Sequence, residues 1–505
     1  MERRDFIKTS SLLALPSILS SCRLPTRKPG YEVEVQSDVD IGHLLMQSKS
    51  FETGKTVSIE TLIVGGGIAG MSAAYHLKNR EFVLCELSDQ LGGSSSAFTY
   101  EGSRFSQGAL YDFSYPEGYG REVLGMLEAL KIIDYQPWKN NWNFTDQEHI
   151  ILNRRKNRVY ASGAYRNEVI SDGALKDSFF KHIASFQGKM PLPARLINSN
   201  LHTLNQVSFL DYLTEKFNLT DRFIAEVDYH MRDDYGAGCS AVSALAGIHY
   251  YACRPYNMEV VELFSPKEGN FYFIRKMADT LPKAQLLTRH LVKKITGNQD
   301  GFTVEVLDIH NRLIHTFKTK KIIYAGQKHA LKYVYPQGYA HFKNNIYAPW
   351  MVLNIVTKGA LPTPAYWQNE ILGADATFLG FVDSAAQDRE LKDGNRVFTA
   401  FYCLPPGARN DLVMVNSRRD QIAATTIDYI SDYFGMDIGD AVQKVFIKVR
   451  GHAMPIPGPG YLFNDRNFYS KNKNLVYAGV DNGRLPLLFE ALDSGIQASK
   501  LVLSS

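Results

Sequence analysis

Hydrophobic and polar positions change their rhythm abruptly near residue 59. Ile59–Val64 is an apolar run rich in β-branched residues, Gly65–Gly70 is a glycine-rich turn, Met71–Asn79 has helical composition, and Phe82–Leu87 is a second apolar run. Short apolar runs bounded by turn residues predict buried strands, and strand, helix and strand in succession form a βαβ unit. The same idiom returns later. Gln285–Ile295 reads as strand material and Gly301–Leu307 alternates like a hairpin strand. Lys321–Ala325 is a short strand ending at Gly326. Asn474–Ala478 and Glu490–Val502 read as a strand and a helix. The stretches between, near 120–260 and 340–465, are mixed and rich in aromatics.

The N-terminus follows a different logic. Arg3-Arg4 precedes the apolar run Leu12–Leu19, the pattern of a twin-arginine export signal, and the run is too short to span a bilayer. It closes on Leu19-Ser20-Ser21-Cys22, which resembles the lipobox of bacterial lipoproteins. Residues 1–22 are therefore expected to be a signal read by the twin-arginine export machinery. Cys22 would carry a lipid anchor and hold the protein in the periplasm or cell envelope. That route carries folded proteins, which suits one that takes up a cofactor before export. Residues 23–57 are polar, hold Pro25, Pro29 and Gly30, and are expected to form an irregular tether.

Composition narrows the partners. The chain has 505 residues, enough for two or three domains, and a net charge of +4. So small a charge gives no reason to expect nucleic acid. Its 28 Tyr and 28 Phe fit either a tyrosine-rich surface and core or an aromatic-lined pocket for an apolar or cationic substrate. Cys85, Cys239, Cys253 and Cys403 show no metal-ligand spacing, so no metal site is expected. A disulfide stays open, and Cys85, inside an apolar run, reads as a small buried residue.

The chemistry starts at Val64-Gly65-Gly66-Gly67-Ile68-Ala69-Gly70, which fits G-x-G-x-x-G with Gly65, Gly67 and Gly70. The first glycine permits the turn, the second lets a pyrophosphate approach the backbone, and the third lets helix and sheet pack closely. Glu86 ends the next strand twenty-one residues beyond Gly65, where an acid reaches ribose hydroxyls and disfavours a 2′-phosphate. The alternative is a glycine turn that binds nothing. The expected fold class is α/β: a Rossmann-type dinucleotide-binding domain of discontinuous segments (58–120, 262–335 and 466–505) with an interleaved α+β substrate domain (121–261 and 336–465).

Three motifs in order point to FAD rather than NAD. Asp89-Gln90-Leu91-Gly92-Gly93-Ser94-Ser95-Ser96 follows Glu86, and Ala478-Gly479-Val480-Asp481 precedes Glu490-Ala491-Leu492-Asp493-Ser494-Gly495. With the first glycine motif, these resemble the flavin-dependent amine oxidase and phytoene desaturase superfamily. The resemblance implies non-covalent FAD, wrapped by Gly92, Gly93 and Ser94, with Gly479 and Asp481 near its ribityl or phosphate region. It places the backbone of Val292 against adenine. The family usually carries an arginine beside the second glycine pair, and this chain has none there.

Two further stretches are similar to bacterial spermidine dehydrogenase-like flavoproteins. One is Arg232-Asp233-Asp234-Tyr235-Gly236 with Ala246–Tyr251; the other is Ala348–Asn354 with Arg450–Pro455. The resemblance implies hydride transfer from a polyamine-like amine to flavin N5, with the electrons passed to oxygen or a membrane-side acceptor. Asn354 stands where relatives place a water-holding lysine, and Leu487 and Leu488 stand where a cage tyrosine is usual. His249 and His452 are each either structural or placed over the flavin to position substrate or accept a proton. Asp233 and Asp234 are either anchors for a cationic amine or solvated helix-end acids. The rival readings are a desaturase or isomerase of a hydrophobic substrate, and a flavin-binding module without turnover. No G-x-S-x-G, H-E-x-x-H or P-loop pattern is present.

Overall fold

A computed structural model describes residues 30–47, 51–108, 118–136, 141–151, 156–253, 263–298, 300–359, 361, 366–387, 395–463 and 474–504. The predicted signal, with Cys22, lies outside the described residues.

Two sheets carry the molecule. The first has seven strands. Its centre is the long parallel pair Glu52–Val64 and Leu313–Tyr324. Phe82–Cys85 and then Leu286–Leu287 extend it on one side in parallel. On the other side Gly301–Asp308 and His290–Asn298 fold back as an antiparallel meander. Leu475–Tyr477 adds in parallel beside the end of Leu313–Tyr324. Leu62, Ile63, Leu84, Ile322 and Ile323 are completely buried, as parallel strands covered on both faces require. The apolar run at Gln285–Ile295 is split into two strands because Arg289 turns the chain at φ 56°.

Helices Ile68–His76 and Leu488–Ser504 pack together on this sheet. Gly495 makes the crossing close: a Cβ there would meet Ser72 Cβ at 2.6 Å and Ala73 N at 2.9 Å. Ser72 Oγ donates to the Leu492 carbonyl at 2.7 Å, tying the pair together.

The second sheet has eight strands, in the order Glu32–Gln36, Val442–Pro455, Tyr347–Thr357, Arg396–Cys403, Phe378–Asp383, Gln368–Leu372, Asn157–Ala161 and Ala164–Arg166. Alternation sorts its faces. Met351, Leu353 and Ile355 pack outward with Ile422, Ile427 and Ile430 of helix Arg419–Phe434. Trp350 and Val352 face inward to a cavity between the sheets. A helical layer covers the far end, its helices started by hydroxyl caps: Ser208, Thr220 and Ser243 accept from the N–H groups of Asp211, Phe223 and Ala246.

One expectation is corrected. The stretch read as an irregular tether is, from Glu32 onward, largely part of the fold. Glu32–Gln36 is an edge strand paired in parallel with Lys444–Lys448, Val39–His43 is a short helix, and the central strand of the first sheet already begins at Glu52. The alternation Glu32-Val33-Glu34-Val35 buries Val33 on one face; the prolines just before it masked that signal. Among the described residues, no helix is long and apolar enough to cross a membrane.

Candidate functional site

The first glycine turn is built for a phosphate. Gly65 has φ +98°, and a Cβ on it would press on Ala325 and Gly326 at 2.9–3.0 Å. A Cβ on Gly70 would overlap the Gly65 carbonyl oxygen. Gly67 differs: its φ is −73°, and the nearest atom to a Cβ there is the Gly92 carbonyl oxygen at 3.8 Å. Its missing side chain therefore leaves room for a ligand rather than for the fold. The helix that follows has no side-chain cap and no acid in its first turn. Its leading N–H groups and positive dipole end are thus offered to an anion.

The second glycine pair lies against the first. Gly92 N–H donates to the Gly66 carbonyl at 2.9 Å, and Gly92 (φ +126°) and Gly93 (φ +56°) hold the left-handed turn that follows. Gly93 and Ser94 stay exposed on the cavity wall. Glu86 is buried, its carboxylate accepting from Gly66 N–H at 2.6 Å and Ser88 N–H at 2.9 Å. Burial raises its pKa above the usual carboxylate range, opposed by those two amides. It lines the cavity, with acceptor capacity left for ribose hydroxyls. Val292 lines it too, next to a bulge at Lys293 that interrupts the ladder with Gly301–Asp308. Such a bulge loosens backbone pairing where adenine is expected to dock.

At the C-terminal motif, Gly479 and Asp481 reach the cavity, but Asp481 is already engaged. Its carboxylate accepts from Lys328 N–H at 2.8 Å, Lys328 Nζ at 2.9 Å and the Tyr347 hydroxyl at 3.1 Å. Lys328 is fully buried and also donates to the Ala478 carbonyl at 2.6 Å. This cluster ties the end of Leu313–Tyr324 to the last strand and fixes the Gly479 turn. Sequence reasoning missed Lys328, whose neighbours carry no motif.

The cavity measures about 1960 Å³, larger than the roughly 300–1,000 Å³ of a pocket for one small ligand. A dinucleotide and a substrate fit that volume together. It runs from Glu86 and Val292, past the glycine turns, to Trp350 and Phe401, and on to Tyr250, Asp233, Asp234 and Glu370. Glu370 is buried, and burial, reinforced by Asp233, pushes its pKa up to about 8, with Arg166 pulling the other way. Gln368 Nε2 lies between Asp233 Oδ2 (3.4 Å) and Glu370 Oε1 (3.5 Å).

The three candidate catalytic residues fare differently. Asn354 does not line the cavity. Its amide donates to the Ser106 carbonyl at 2.8 Å and Thr399 Oγ1 at 3.0 Å, and the side chain is completely buried. Trp350 and Val352, earlier on the same strand face, take the cavity wall instead. His249 is also fully buried and away from the cavity, its Nε2 donating to the Pro191 carbonyl at 3.1 Å; the next residue, Tyr250, reaches the wall. Neither fits the expected place over the flavin. His452 does reach the cavity, stacked on His329 with ring centroids 3.6 Å apart. Arg409 Nη1 donates to its Nε2 at 2.9 Å. Burial first, then the cationic neighbours, lowers its pKa to about 3. A neutral ring whose lone pair is occupied positions neighbours rather than accepting a proton.

A group without motif spacing, His290, Asp308 and His315, also clusters on the first sheet. Lys55 N–H donates to His315 Nδ1 at 3.1 Å, which leaves the ring proton on Nε2, towards Asp308 at 3.8 Å. With one ring nitrogen accepting and the other carrying the proton, His315 has no free lone pair to offer a metal ion.

Two facing glycine turns, an uncapped helix N-terminus and a buried acid at the next strand end define a dinucleotide-binding fold with a further chamber attached. The sequence model described as flavin containing amine oxidoreductase matches residues 68–499. The chain belongs to this family and is an FAD-dependent oxidoreductase acting on amines. Among solved structures, it resembles wild-type putrescine oxidase bound to putrescine, at 12% identity and a TM-score of 0.62, covering 89% of this chain and 100% of that one. It also resembles cyclohexylamine oxidase from Brevibacterium oxydans IH-35A, at 13% identity and a TM-score of 0.62, covering 88% of this chain and 99% of that one. At these identities the likeness speaks to the fold. No curated protein matches the chain significantly.

The open space at Gly67 makes a separable prediction. Gly67→Val should leave the denaturation midpoint of the flavin-free protein unchanged while abolishing FAD retention, measured as flavin absorbance per protein after gel filtration. A variant that keeps its flavin would contradict the placement of the phosphates.

Proposed function

We propose that the protein dehydrogenates a polyamine-like substrate in the cell envelope. FAD, when bound, supplies the two-electron acceptor for a hydride from the carbon beside a substrate nitrogen. That nitrogen's lone pair forms the C=N bond, and water then hydrolyses the imine to an aldehyde. The protein's part is to bind, orient and dry the substrate.

The observation carrying this reading is the acidic end of the cavity. Asp233, Asp234 and Glu370 share one chamber with the glycine turns, and Trp350, Phe401 and Tyr250 stand along it. A polyamine brings at least two nitrogens. One stays cationic beside the carboxylates. The nitrogen to be oxidised must be neutral, and an apolar aromatic wall favours its neutral form by denying the ammonium water. A polyene has no use for three acids, so the desaturase reading draws no comparable support. The two putrescine- and cyclohexylamine-directed structural relatives agree with an amine.

Anaerobic mixing with polyamines, monoamines and polyenes tests this reading. Loss of the yellow flavin absorbance with polyamines is expected. Bleaching by polyenes alone, or by nothing, would overturn it.

The pH dependence has a definite sign. Glu370, with its pKa raised to about 8, takes a proton as pH falls through that value and loses its pull on a cation. Inhibition by a bis-quaternary diammonium ion, which has no titrating nitrogen, should therefore weaken as pH drops from 9 to 7. Glu370→Gln should weaken it about tenfold, the scale of one partly solvated charge–charge contact, and flatten the profile. A pH-independent inhibition constant in the native protein would remove Glu370 from the site.

Location is part of the proposal. Arg3-Arg4, Leu12–Leu19 and Cys22 support export by the twin-arginine machinery and a lipid anchor, which would keep the reduced enzyme near a membrane-side electron acceptor. Cys22→Ala should move the exported protein from the membrane to the soluble envelope fraction; unchanged membrane attachment would refute the anchor.

A further inference from the structure

We infer that Arg450 supplies the positive charge that faces the cofactor's pyrophosphate, reaching the second glycine turn from a strand far along the chain. No basic residue stands beside Gly92-Gly93 in sequence, yet the structure brings one there. Arg450, on strand Val442–Pro455, donates from Nη2 to Ser96 Oγ at 2.6 Å and lines the same cavity as Gly65, Gly67 and Gly93. Gly108 packs close by: a Cβ there would overlap the Ser94 carbonyl oxygen and lie 3.7 Å from Nη2.

What marks Arg450 as a ligand residue is the state of its charge. Its Nε is buried and has no hydrogen-bond partner among the described residues. The two carboxylates that act on it through space, Asp38 and Glu86, are bonded elsewhere. Asp38 pairs with Lys448 Nζ at 3.1 Å, and Glu86 takes the amides of Gly66 and Ser88. Lys448 is the neighbouring cation, and the Asp38 carboxylate accepts its hydrogen bond from that side chain. A guanidinium whose Nε–H is shut off from water and unused is costly in free energy unless an anion completes it. A diphosphate does so in the planar, two-pronged geometry that guanidinium favours over ammonium. The uncapped N-terminus of Ile68–His76 opens on the same cavity. This inference rests on the assignment of FAD to the cavity.

The test uses full-length holoprotein. Arg450→Gln should raise the FAD dissociation constant roughly 10- to 100-fold, the range for hydrogen bonds to charged groups. The phosphorus NMR resonances of FAD still bound should move towards those of free FAD, with the visible flavin spectrum unchanged. Arg450→Lys keeps the charge and should show a smaller change of the same kind, which protects the test should the glutamine variant fold poorly. Weaker binding with unmoved phosphorus resonances in both variants would make Arg450 a support for Ser96 only and overturn the inference. Native protein that carries no flavin would instead overturn the cofactor assignment.

Discussion

The fold is organised around backbone meeting backbone. The Gly65 carbonyl oxygen occupies the space a Cβ on residue 70 would need, and Gly65 itself holds a backbone conformation that side chains rarely tolerate. Only glycine at both ends lets the chain leave a buried strand and enter a helix within five residues. That tight turn points the helix N-terminus into the cavity. It also lets Gly92 N–H lock the second turn against the first. Everything the cofactor needs follows from this geometry: free amides for phosphate, an acid one strand over, and an open face at Gly67.

The second constraint is how the distant pieces converge. Strands from three regions of the chain meet in one sheet, and buried polar contacts fix their ends. Lys328 and Asp481 join the end of Leu313–Tyr324 to the last strand, and Ser72 and Gly495 set the helix crossing. Taking either partner from a buried, fully bonded ion pair leaves the other uncompensated, typically at a cost of about 3–5 kcal/mol. The substrate sheet then needs only to present its inner face, where Trp350 and Val352 look into the cavity the nucleotide sheet has already shaped.

The cofactor side was legible in the sequence because its signals are local. A glycine that must adopt positive φ, and an acid at a strand end, are written in adjacent residues. The substrate side was not, because it is made by long-range packing. Asn354 and His249 looked chemical in their motifs, but strand and helix periodicity turned them into the core, where each found a backbone carbonyl. His452 reached the cavity, but burial first, and then His329 and Arg409, keep it neutral. Glu370, at the acidic end, sits in an ordinary-looking strand, and on the cofactor side Lys328 sits in an ordinary-looking helical turn. The edge strand Glu32–Gln36 went unread for a related reason: its alternation is only five residues long and follows a proline-rich run.

The acidic chamber and the flavin cradle are continuous, and this continuity links fold to chemistry. The central claim is that the paired glycine turns with Glu86 hold an adenine–flavin dinucleotide without a covalent bond. The most direct measurement is the identity and amount of cofactor released when freshly purified native protein is denatured. A yellow protein that yields one FAD per chain in the supernatant and a colourless pellet is expected. A colourless native protein that takes up no added FAD would contradict it.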